Sequence, residues 1–268
     1  MRHVIDEPHD PRLDDIRDLN KSDRSGEGLV IAEGGLCVDR LLESPYPVRC
    51  IVGFGPKLDA YEERAAAAGI ALYEVDRETL AGAAGFDMHR GLVAAADRVA
   101  AWTVDDVIRD ARTLVVMEGV GDHENIGAIF RNAAGMGADG ILLGSGAADP
   151  LYRRSVRVSM GHVLRLPWAR FAGRYTTWQR ELSALADAAF RLVSLTPHAS
   201  AVHLAEAMEG AEKVALLVGA EGPGLTEHAM RATHVRARIP MAPGTDSLNV
   251  ATSAAIALYE RQRAIDRV

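Results

Sequence analysis

The feature that most restricts the fold is a set of short, fully apolar segments separated by stretches with helical periodicity. Leu114-Val115-Val116-Met117, Ile141-Leu142-Leu143 and Val214 to Val218 are such segments. Strands of this kind are buried on both faces, which is typical of a parallel sheet with helices on each side. Further strand candidates follow at Arg191-Leu192-Val193 and at Val235 to Ile239. The C-terminal part therefore predicts an α/β domain with a mostly parallel sheet, and such sheets bind ligands beyond the carboxyl ends of their strands.

A smaller pattern of the same type lies between Gly28 and Arg98. Strand-like runs at 29–32, 48–52, 70–73 and 91–94 alternate with helical segments, which predicts a compact α/β domain. Residues 1–27 are dominated by Asp and Arg, and we expect them to form an exposed arm or helix. Residues 99–112 are expected to link this first domain to a second one spanning residues 113–268.

The distribution of charge bears on the partner. The 268-residue chain has a net charge of −7, which at first argues against a nucleic-acid partner. The acidic excess lies in residues 1–100, with 12 Lys/Arg and 19 Asp/Glu, whereas residues 101–268 contain 18 of each. The stretch from Pro150 to Arg180 has no acidic residue, which favours a phosphate-binding surface over a merely solvated helix face. Its arginines are Arg153, Arg154, Arg157, Arg165, Arg170, Arg174 and Arg180.

Cellular location and metal content are also constrained. No apolar run approaches the roughly 20 residues that cross a bilayer, and the N-terminus lacks the layout of a secretory signal. Cys37 and Cys50 have no metal-ligand spacing and are expected to be reduced thiols, which indicates a cytoplasmic protein. None of the nine histidines lies three or four residues from another, so we expect no metal site.

The first polar cluster follows the strand at 114–117 and lies at the start of a helical segment. It extends from Asp122 to Asn132 and contains Asn125 and Arg131. Asn125 is suited either to capping the helix or to an active-site role. Arg131 lies among apolar residues, where a single guanidinium needs an anion or a carbonyl as partner. We therefore interpret Arg131 as a functional residue, with an ordinary surface arginine as the alternative.

The second cluster is a glycine-rich turn after the strand at 214–218. Gly219, Gly222 and Gly224 allow backbone groups to approach a ligand closely. The turn has neither the Lys-Ser/Thr ending of a P-loop nor the GxGxxG pattern, so it does not indicate an NTP or nicotinamide site. A simple strand-to-helix turn is the alternative, in which Glu221 complements the dipole of the next helix.

The third cluster extends from Ile239 to Val250 and leads into a helix predicted from Ala251 to about Arg263. Asp246 and Ser247 are residue types that cap helices, which accounts for part of the cluster. Capping by either residue leaves Asn249, inside the first turn, unexplained.

Taken together, the three clusters resemble the signature motifs of the SpoU (TrmH) family of RNA ribose 2′-O-methyltransferases, in the SPOUT superfamily. Asn125 to Arg131 is similar to Asn-x-Gly-Ala-Ile-x-Arg, and Gly219 to Leu225 to Gly-x-Glu-Gly-x-Gly-Leu. Ile239 to Val250 begins with Ile-Pro-Met and ends with Ser-Leu-Asn-Val, as in the third motif. Arg157-Val158-Ser159-Met160-Gly161 also has the family's pattern, and the resemblance covers about Leu114 to Glu260.

The match has two departures, and a second, looser likeness precedes it. His123 stands where the family often has Pro, and Pro243 stands where it commonly has Gly, with Gly244 one place later. We expect these changes to alter the local backbone rather than the activity. Residues 28–98 are similar to the ribosomal-protein-like RNA-binding domain that precedes the catalytic domain in many family members.

The resemblance implies a fold, a cofactor and partners. The C-terminal domain would be a trefoil-knotted, mostly parallel α/β domain, although knots are rare in proteins. The cofactor would be S-adenosylmethionine, bent into the knot, and the substrate an rRNA or a tRNA. The protein would be a homodimer whose active site draws on both subunits.

The resemblance also assigns residues, position by position. The predicted donor-site residues are Gly219, Gly222, Ile239, Met241 and Leu248. The predicted active-site residues are Arg131, Asn125, Glu221, Ser247 and Asn249. The predicted RNA-binding residues are Arg153, Arg154 and Arg157.

The chemistry suggests how these residues act. A ribose hydroxyl is a weak acid, so it has to be oriented and to lose its proton during transfer. An arginine remains charged near neutral pH, so we expect Arg131 to hold a phosphate and stabilise the developing alkoxide while solvent or phosphate takes the proton. Asn125 and Asn249 are expected to hold the ribose and the loops, and Glu221 and Ser247 to orient their partners.

Two other functions remain open at this stage. The chain is alternatively a non-catalytic RNA-binding protein with the same fold, which a donor-binding titration with a transfer assay would distinguish. It is alternatively a base-methylating SPOUT enzyme, although the Ser247-Leu248-Asn249 element favours ribose chemistry.

Overall fold

The computed structural model describes residues 2–21 and 28–265. The chain divides into two compact units by its internal contacts. The first combines the described parts of Met1–Ala101 with Pro150–Arg165, and the second combines Trp102–Asp149 with the described part of Leu166–Val268.

The first unit is built on a mixed five-stranded sheet with the order β1-β4-β3-β5-β2. Strands β1, β4 and β3 are parallel, and β5 runs antiparallel to both β3 and β2. Its core contains side chains from β2, β3, β5 and α4. The elements are β1 (Arg2–Val4), β2 (Leu29–Glu33), α1 (Gly35–Leu42), β3 (Val48–Gly53), α2 (Gly55–Leu58), α3 (Glu62–Ala68), β4 (Ala71–Glu74), α4 (Arg77–Ala84) and β5 (Leu92–Asp97).

The start of the chain is part of this unit, which differs from the exposed arm expected for residues 1–27. Strand β1 pairs with β4, with Arg2 opposite Leu72. A 3₁₀ helix at Pro11–Ile16 buries Leu13 and Ile16 in the core of the unit. These few apolar side chains, spaced among acidic and basic residues, are sufficient to anchor the segment. Residues 1 and 22–27 of the expected arm lie outside the described residues.

The second unit contains a seven-stranded sheet with the order β10-β12-β9-β11-β6-β7-β8. Every neighbouring pair in it is parallel. The remaining elements, in chain order, are α5 (Val104–Ile108), β6 (Thr113–Glu118), α6 (His123–Gly135), β7 (Gly140–Leu143), α7 (Arg153–Val158, in the first unit), β8 (Trp168–Arg170), α8 (Leu182–Asp187), β9 (Arg191–Leu195), β10 (Val202–His203), α9 (Leu204–Met208), β11 (Val214–Gly219), α10 (Glu227–Arg231), β12 (Val235–Arg238) and α11 (Val250–Ile265).

The central strands of this sheet are buried, as the apolar segments predicted. On one face, Leu114, Val116 and Leu217 pack in a cluster with Trp178 and residues of α5 and α8. Helices α6 and α11 pack against each other, and α11 also packs against β11. The predicted α/β architecture with a mostly parallel sheet is confirmed.

Two boundaries differ from the expected domain limits. Five residues of the expected linker at 99–112 form helix α5, which buries Val107 and Ile108 in the second unit. Residues 150–165, expected within the second domain, pack in the first unit. The Cys37 thiol there lies 3.9 Å from the carbonyl oxygen of Val156. The sequence does not indicate that residues 150–165 belong to the first unit, because the contacts that hold them join residues more than a hundred positions apart.

Candidate active site

Three loops at the carboxyl edge of the parallel sheet line a cavity of about 360 Å³ in the second unit. They follow β9, β11 and β12, which are neighbours in the sheet. The walls combine the main chain of the glycine-rich loop with apolar side chains. All five residues predicted to bind a cofactor line this cavity: Gly219, Gly222, Ile239, Met241 and Leu248.

The glycine-rich loop is closed on itself. The Gly224 N–H donates to the carbonyl oxygen of Ala220 (2.9 Å), and a Cβ atom on Gly219 would overlap the backbone of Gly224 and Leu225. Gly222 has a φ of +85° and open space around its Cα. The glycine at 219 is therefore required for the loop's own packing as well as for the cavity wall.

Three polar side chains from different loops form a hydrogen-bonded network at this cavity. The side-chain amides of Asn125 and Asn249 both donate to Oε1 of Glu221, at 2.9 and 3.0 Å. The Asn249 amide also donates to Oδ1 of Asn125 (2.9 Å). Asn125 is buried, and Glu221 and Asn249 line the cavity. The first, second and third sequence clusters therefore meet at one point.

Helix α6 is not capped by Asn125, although capping was one of the two roles expected for this residue. The cap is Asp122, whose Oδ1 accepts the Glu124 N–H (2.8 Å). Capping by Asn125 is wrong, because its side chain lies inside the first turn and is directed to Glu221 instead.

The cap of helix α11 lies two or three residues later than expected. Oδ1 of Asn249 accepts the N–H groups of Ala251 (2.9 Å) and Thr252 (3.1 Å), so Asn249 has the capping role expected of Asp246 or Ser247. This residue therefore caps the helix with its oxygen and holds Glu221 with its nitrogen. Ser247 lies in the cavity wall beside Leu248.

Arg131 lies on the exposed face of α6 and does not line the cavity. In the described part of the chain, its side chain forms no hydrogen bond or ion pair. The expectation that its apolar sequence neighbours surround it is wrong. Ile129, Phe130 and Ala133 point toward the core, and successive helical residues are rotated by about 100°. The Arg131 guanidinium is thus available to an external anion.

The arginines between 150 and 180 are partly used inside the protein. Arg153 pairs with the buried Glu33 and lies 5.1 Å from the centre of the Phe86 ring. Arg165 pairs with Glu43. The expectation that an external anion must offset all seven charges is therefore wrong, because acids far away in sequence neutralise some of them.

Arg153, Arg154 and Arg157, predicted to bind RNA, lie together on α7 in the first unit. With Lys21 and Tyr152 they line a cavity of about 200 Å³. Arg154 and Arg157 are exposed, whereas the Arg153 side chain is largely occupied by Glu33. The structure thus brings these three residues together on one helix of the first unit.

Comparison with known proteins identifies the family. A sequence model of the SpoU rRNA methylase family matches residues 112–259, more than half of the chain. The chain belongs to this family. The resemblance inferred from the three motifs is confirmed.

Relatives of this SpoU family member extend over nearly its whole length. A Mycobacterium tuberculosis protein named as a tRNA/rRNA methyltransferase is 51% identical over 264 residues, covering 96% of this chain and 90% of the relative. A structure of an rRNA methyltransferase from Sinorhizobium meliloti with bound S-adenosylmethionine has a TM-score of 0.81 at 26% identity, covering 98% of both chains. A structure named as an RNA 2′-O ribose methyltransferase has a TM-score of 0.77 at 28% identity, covering 98% of this chain and 99% of that one.

Two parts of this SpoU-family site were not predicted from sequence. Residues 195–197, after β9, form a further wall of the cavity. Glu118, at the end of β6, is buried and accepts four hydrogen bonds. In the sequence, Glu118 is marked by its position as a single acidic residue at the carboxyl end of an apolar strand. The segment 195–197 carries no motif.

The described residues contain neither a membrane-spanning helix nor a cluster of metal ligands. Within 2–21 and 28–265, no helix is both long and apolar enough to span a membrane. Over the same residues, no cluster of three or more His, Cys, Asp or Glu side chains has the arrangement of a metal site.

Proposed function

We propose that this chain transfers the methyl group of S-adenosylmethionine to a ribose 2′-hydroxyl of rRNA or tRNA in the cytoplasm. The observation that carries the proposal is the network of Asn125, Glu221 and Asn249 at the wall of the cavity formed by the glycine-rich and Ile239–Val250 loops. Three clusters that are far apart in sequence converge there.

The cavity suits S-adenosylmethionine. Its volume of about 360 Å³ lies within the range of small-molecule sites. Leu195, Ile239 and Met241 supply apolar walls for a purine ring, and Gly219 and Gly222 leave main chain without side chains beside it. Both features are what an adenosyl group bound mainly by backbone requires.

Glu221 is the acidic group of this site. Oε1 of its carboxylate holds the amides of Asn125 and Asn249. Among the described residues, no hydrogen bond reaches Oε2. That oxygen is available to a hydroxyl or ammonium group of a bound ligand. In this proposal Asn125 and Asn249 keep the loops and the ribose in place, and Glu221 and Ser247 orient their partners.

Arg131 acts on the nucleophile. When bound, the donor supplies a methyl group on a cationic sulfur, and transfer forms an O–C bond as the S–C bond breaks. The exposed Arg131 guanidinium holds a phosphate next to the target ribose and stabilises negative charge developing on the 2′-oxygen. The hydroxyl proton passes to solvent or to that phosphate.

We also propose a homodimer whose active site uses both subunits. Helix α11 exposes Tyr259 (54%) and Ile265 (40%), and Leu248 just before it is 37% exposed. Exposed apolar groups near the site are expected at a subunit interface. Sedimentation equilibrium of the full chain should give twice the monomer mass of 28.8 kDa. A monomer at micromolar concentration would contradict the dimer.

Residues 28–98 with α7 are proposed to bind the RNA substrate. Arg154 and Arg157 are exposed at the cavity of the first unit and Lys21 lies beside them, which suits a phosphate group. Arg153, held by Glu33, supports the helix that carries them.

A trefoil knot in the second unit is proposed on the topology. Strand β12 lies beyond β9 from β11, yet the next element, α11, packs against β11 and α6. The last segment thus returns across strands formed earlier. A crystal structure tests this proposal, since straightening the two ends of the traced backbone must leave a closed knot. An unknotted trace would contradict it.

The decisive experiment is to map ribose methylation across all stable RNAs in cells with and without this protein. One or a few nucleotides should lose their 2′-O-methyl group, and purified protein with S-adenosylmethionine should restore them. Nucleoside digestion of the product separates ribose from base methylation. Donor binding without transfer would favour a non-catalytic RNA-binding protein, and a methylated base would favour a base methyltransferase of the same superfamily.

A further inference from the structure

A short loop after β8 presents an aromatic side chain between two arginines. Residues 171–177 connect β8 to a 3₁₀ helix at Trp178–Glu181. Tyr175 is 62% exposed at this loop. Arg174 and Arg180 are also exposed, and in the described part of the chain neither guanidinium forms a hydrogen bond or an ion pair.

Hydrogen bonds on both sides of Tyr175 in the sequence hold the backbone of the loop in place. The carbonyl oxygen of Tyr175 accepts the side-chain amide of Gln179 (2.8 Å), and the Arg174 N–H donates to Oγ1 of Thr177 (2.8 Å). Gly173 has a φ of +99°, a conformation that side chains strongly disfavour. The exposed phenol ring is therefore displayed by an ordered turn.

The same loop is anchored to the core through Glu118. This buried carboxylate accepts hydrogen bonds from Trp178 Nε1 (2.8 Å) and Gln179 Nε2 (3.1 Å). The Trp178 ring is fully buried and stacks on Phe171 with their centres 5.9 Å apart. The buried Trp178 and its hydrogen bond to Glu118 thus fix the position of the loop that exposes Tyr175.

The segment that carries Tyr175 is rich in arginine. No acidic residue lies between Pro150 and Arg180, and Glu181 is the first to follow. Arg170 donates to the carbonyl oxygens of Gly144 and Ala147, so its guanidinium is occupied within the protein. The guanidinium groups of Arg174 and Arg180 are therefore available to an external anion.

The loop lies on the same edge of the sheet as the donor cavity. Strands β11, β6, β7 and β8 are consecutive and parallel, so their carboxyl ends share one edge. Three strand spacings put the end of β8 roughly 14 Å from the end of β11. The loop therefore lies on the edge of the sheet that a nucleic acid has to approach for its ribose to reach the cavity.

We infer that Tyr175 stacks on an unpaired base of the RNA substrate, while Arg174 and Arg180 contact the phosphates on either side. Bases that are splayed out of a helix stack on aromatic side chains, whereas bases in a duplex are covered by their neighbours. The inference rests on the proposed function, since the RNA is the one to be methylated, and it adds that the nucleotides near the target are single-stranded.

The test measures the binding of fluorescein-labelled RNA to the full chain by anisotropy. The probes are a single strand of about 12 nucleotides of mixed sequence and the duplex of the same length. Tyr175→Ala should weaken binding of the single strand by about 5- to 150-fold, and Tyr175→Phe should remain within about threefold of the wild type. Thr176→Ala, an exposed neighbour in the same loop, is the matched control and should bind like the wild type.

The arginines have a separate readout. Replacing Arg174 and Arg180 with Ala should lower the slope of log affinity against log salt by about 1.4, since each phosphate contact on a single strand contributes about 0.7. Affinity for S-adenosylmethionine and the melting temperature should not change in either variant, because none of these residues lines the donor cavity.

Three outcomes would overturn the inference. If Tyr175→Ala binds the single strand like the wild type, the base does not stack there. If it loses affinity for duplex and single strand equally, the partner is not unpaired RNA. A wild-type protein that binds no RNA and methylates none would overturn the proposed function as well, whereas wild-type transfer with an unaffected Tyr175→Ala would overturn this inference alone.

Discussion

The buried carboxylate of Glu118 holds Thr226 by two hydrogen bonds, from the backbone N–H (2.7 Å) and from the hydroxyl (3.0 Å). Thr226 directly follows the glycine-rich loop and caps α10 by accepting the Ala229 N–H. Glu118 is also the residue opposite Gly219 in the parallel ladder. The carboxylate thus holds the end of the glycine-rich loop at Thr226, while the backbone of Glu118 pairs beside its start at Gly219.

Replacing Glu118 with Gln should destabilise the protein and weaken donor binding. A glutamine amide nitrogen cannot accept the hydrogen bonds now made to one carboxylate oxygen, so we expect the free energy of unfolding to fall by about 1.5–3 kcal/mol. Urea unfolding and titration with S-adenosylmethionine measure the two effects. Glu227→Gln is the control, because this exposed acid pairs only with surface arginines, and should change stability by less than about 1 kcal/mol. Equal stability of both variants would contradict the role of Glu118.

Asn249→Asp should weaken donor binding by about tenfold, the equivalent of about 1.4 kcal/mol. The new carboxylate still caps α11, but it replaces the amide that lies 3.0 Å from the Glu221 carboxylate, so two negative charges face each other. Calorimetric titration measures the affinity. The double variant with Glu221→Gln should recover part of the loss, because the like charge is removed. No recovery in the double variant would argue against direct contact between the two side chains.

Gly219→Ala should abolish most donor binding, with a loss of about a hundredfold or more. Its methyl group would overlap the backbone of Gly224 and Leu225, so the loop has to open. Gly222→Ala is the matched comparison, since its Cβ enters open space and only the positive φ opposes it, at a cost of roughly 1–2 kcal/mol. The affinity for S-adenosylmethionine should rank wild type first, Gly222→Ala second and Gly219→Ala last. The reverse ranking of the two variants would exclude the packing explanation.

Arg131→Ala should lower the rate of methyl transfer by about 10²- to 10³-fold, the usual effect of removing a group that stabilises a developing oxyanion. Since the side chain is exposed and lies outside the cavity wall, donor affinity and unfolding free energy should stay near wild type. Transfer of a radiolabelled methyl group to total RNA measures the rate. Arg231→Ala, another exposed arginine, serves as the control. Loss of donor binding in Arg131→Ala would refute the assignment.

Arg261→Met should cost about 2–4 kcal/mol of stability. This buried guanidinium donates to the carbonyl oxygens of Ala211 (2.6 Å) and Glu212 and to Oγ1 of Thr113 (3.2 Å), and burial lowers its pKa from the ordinary value. It thereby ties α11 to two loops of the second unit. Arg263→Met, two residues along, removes only a surface pair with Glu260 and should cost less than about 1 kcal/mol. Urea unfolding of the two variants checks the difference, and similar losses would contradict the clamp.

Much of the site was predictable because its residues lie within recognisable sequence motifs. Gly219, Ile239 and Leu248 were predicted from two separate clusters, and the structure brings them to one cavity. The rule that parallel strands present their carboxyl ends at one edge was sufficient to expect this meeting. The meeting of Asn125, Glu221 and Asn249 in one network followed from the same rule, but the particular hydrogen bonds did not.

One error about charge arises because the partner of a charged residue is usually far away in sequence. Arg153 appeared available because its sequence neighbours include no acid, yet Glu33 lies against it in the first unit. Arg131 was placed among apolar residues because they adjoin it in sequence, yet Ile129, Phe130 and Ala133 face the core while Arg131 is exposed.

By itself, the sequence determined most of the apolar strands and the three polar clusters, because apolar periodicity and glycine positions act locally on the backbone. Only the tertiary structure decided which charges are satisfied inside the protein and which face outward. Glu118 and Arg261 became internal clamps, while Arg131, Arg174 and Arg180 remained exposed. The reason is that burying a charge requires partners at hydrogen-bond distance, and those partners come from segments that meet only when the sheet has formed.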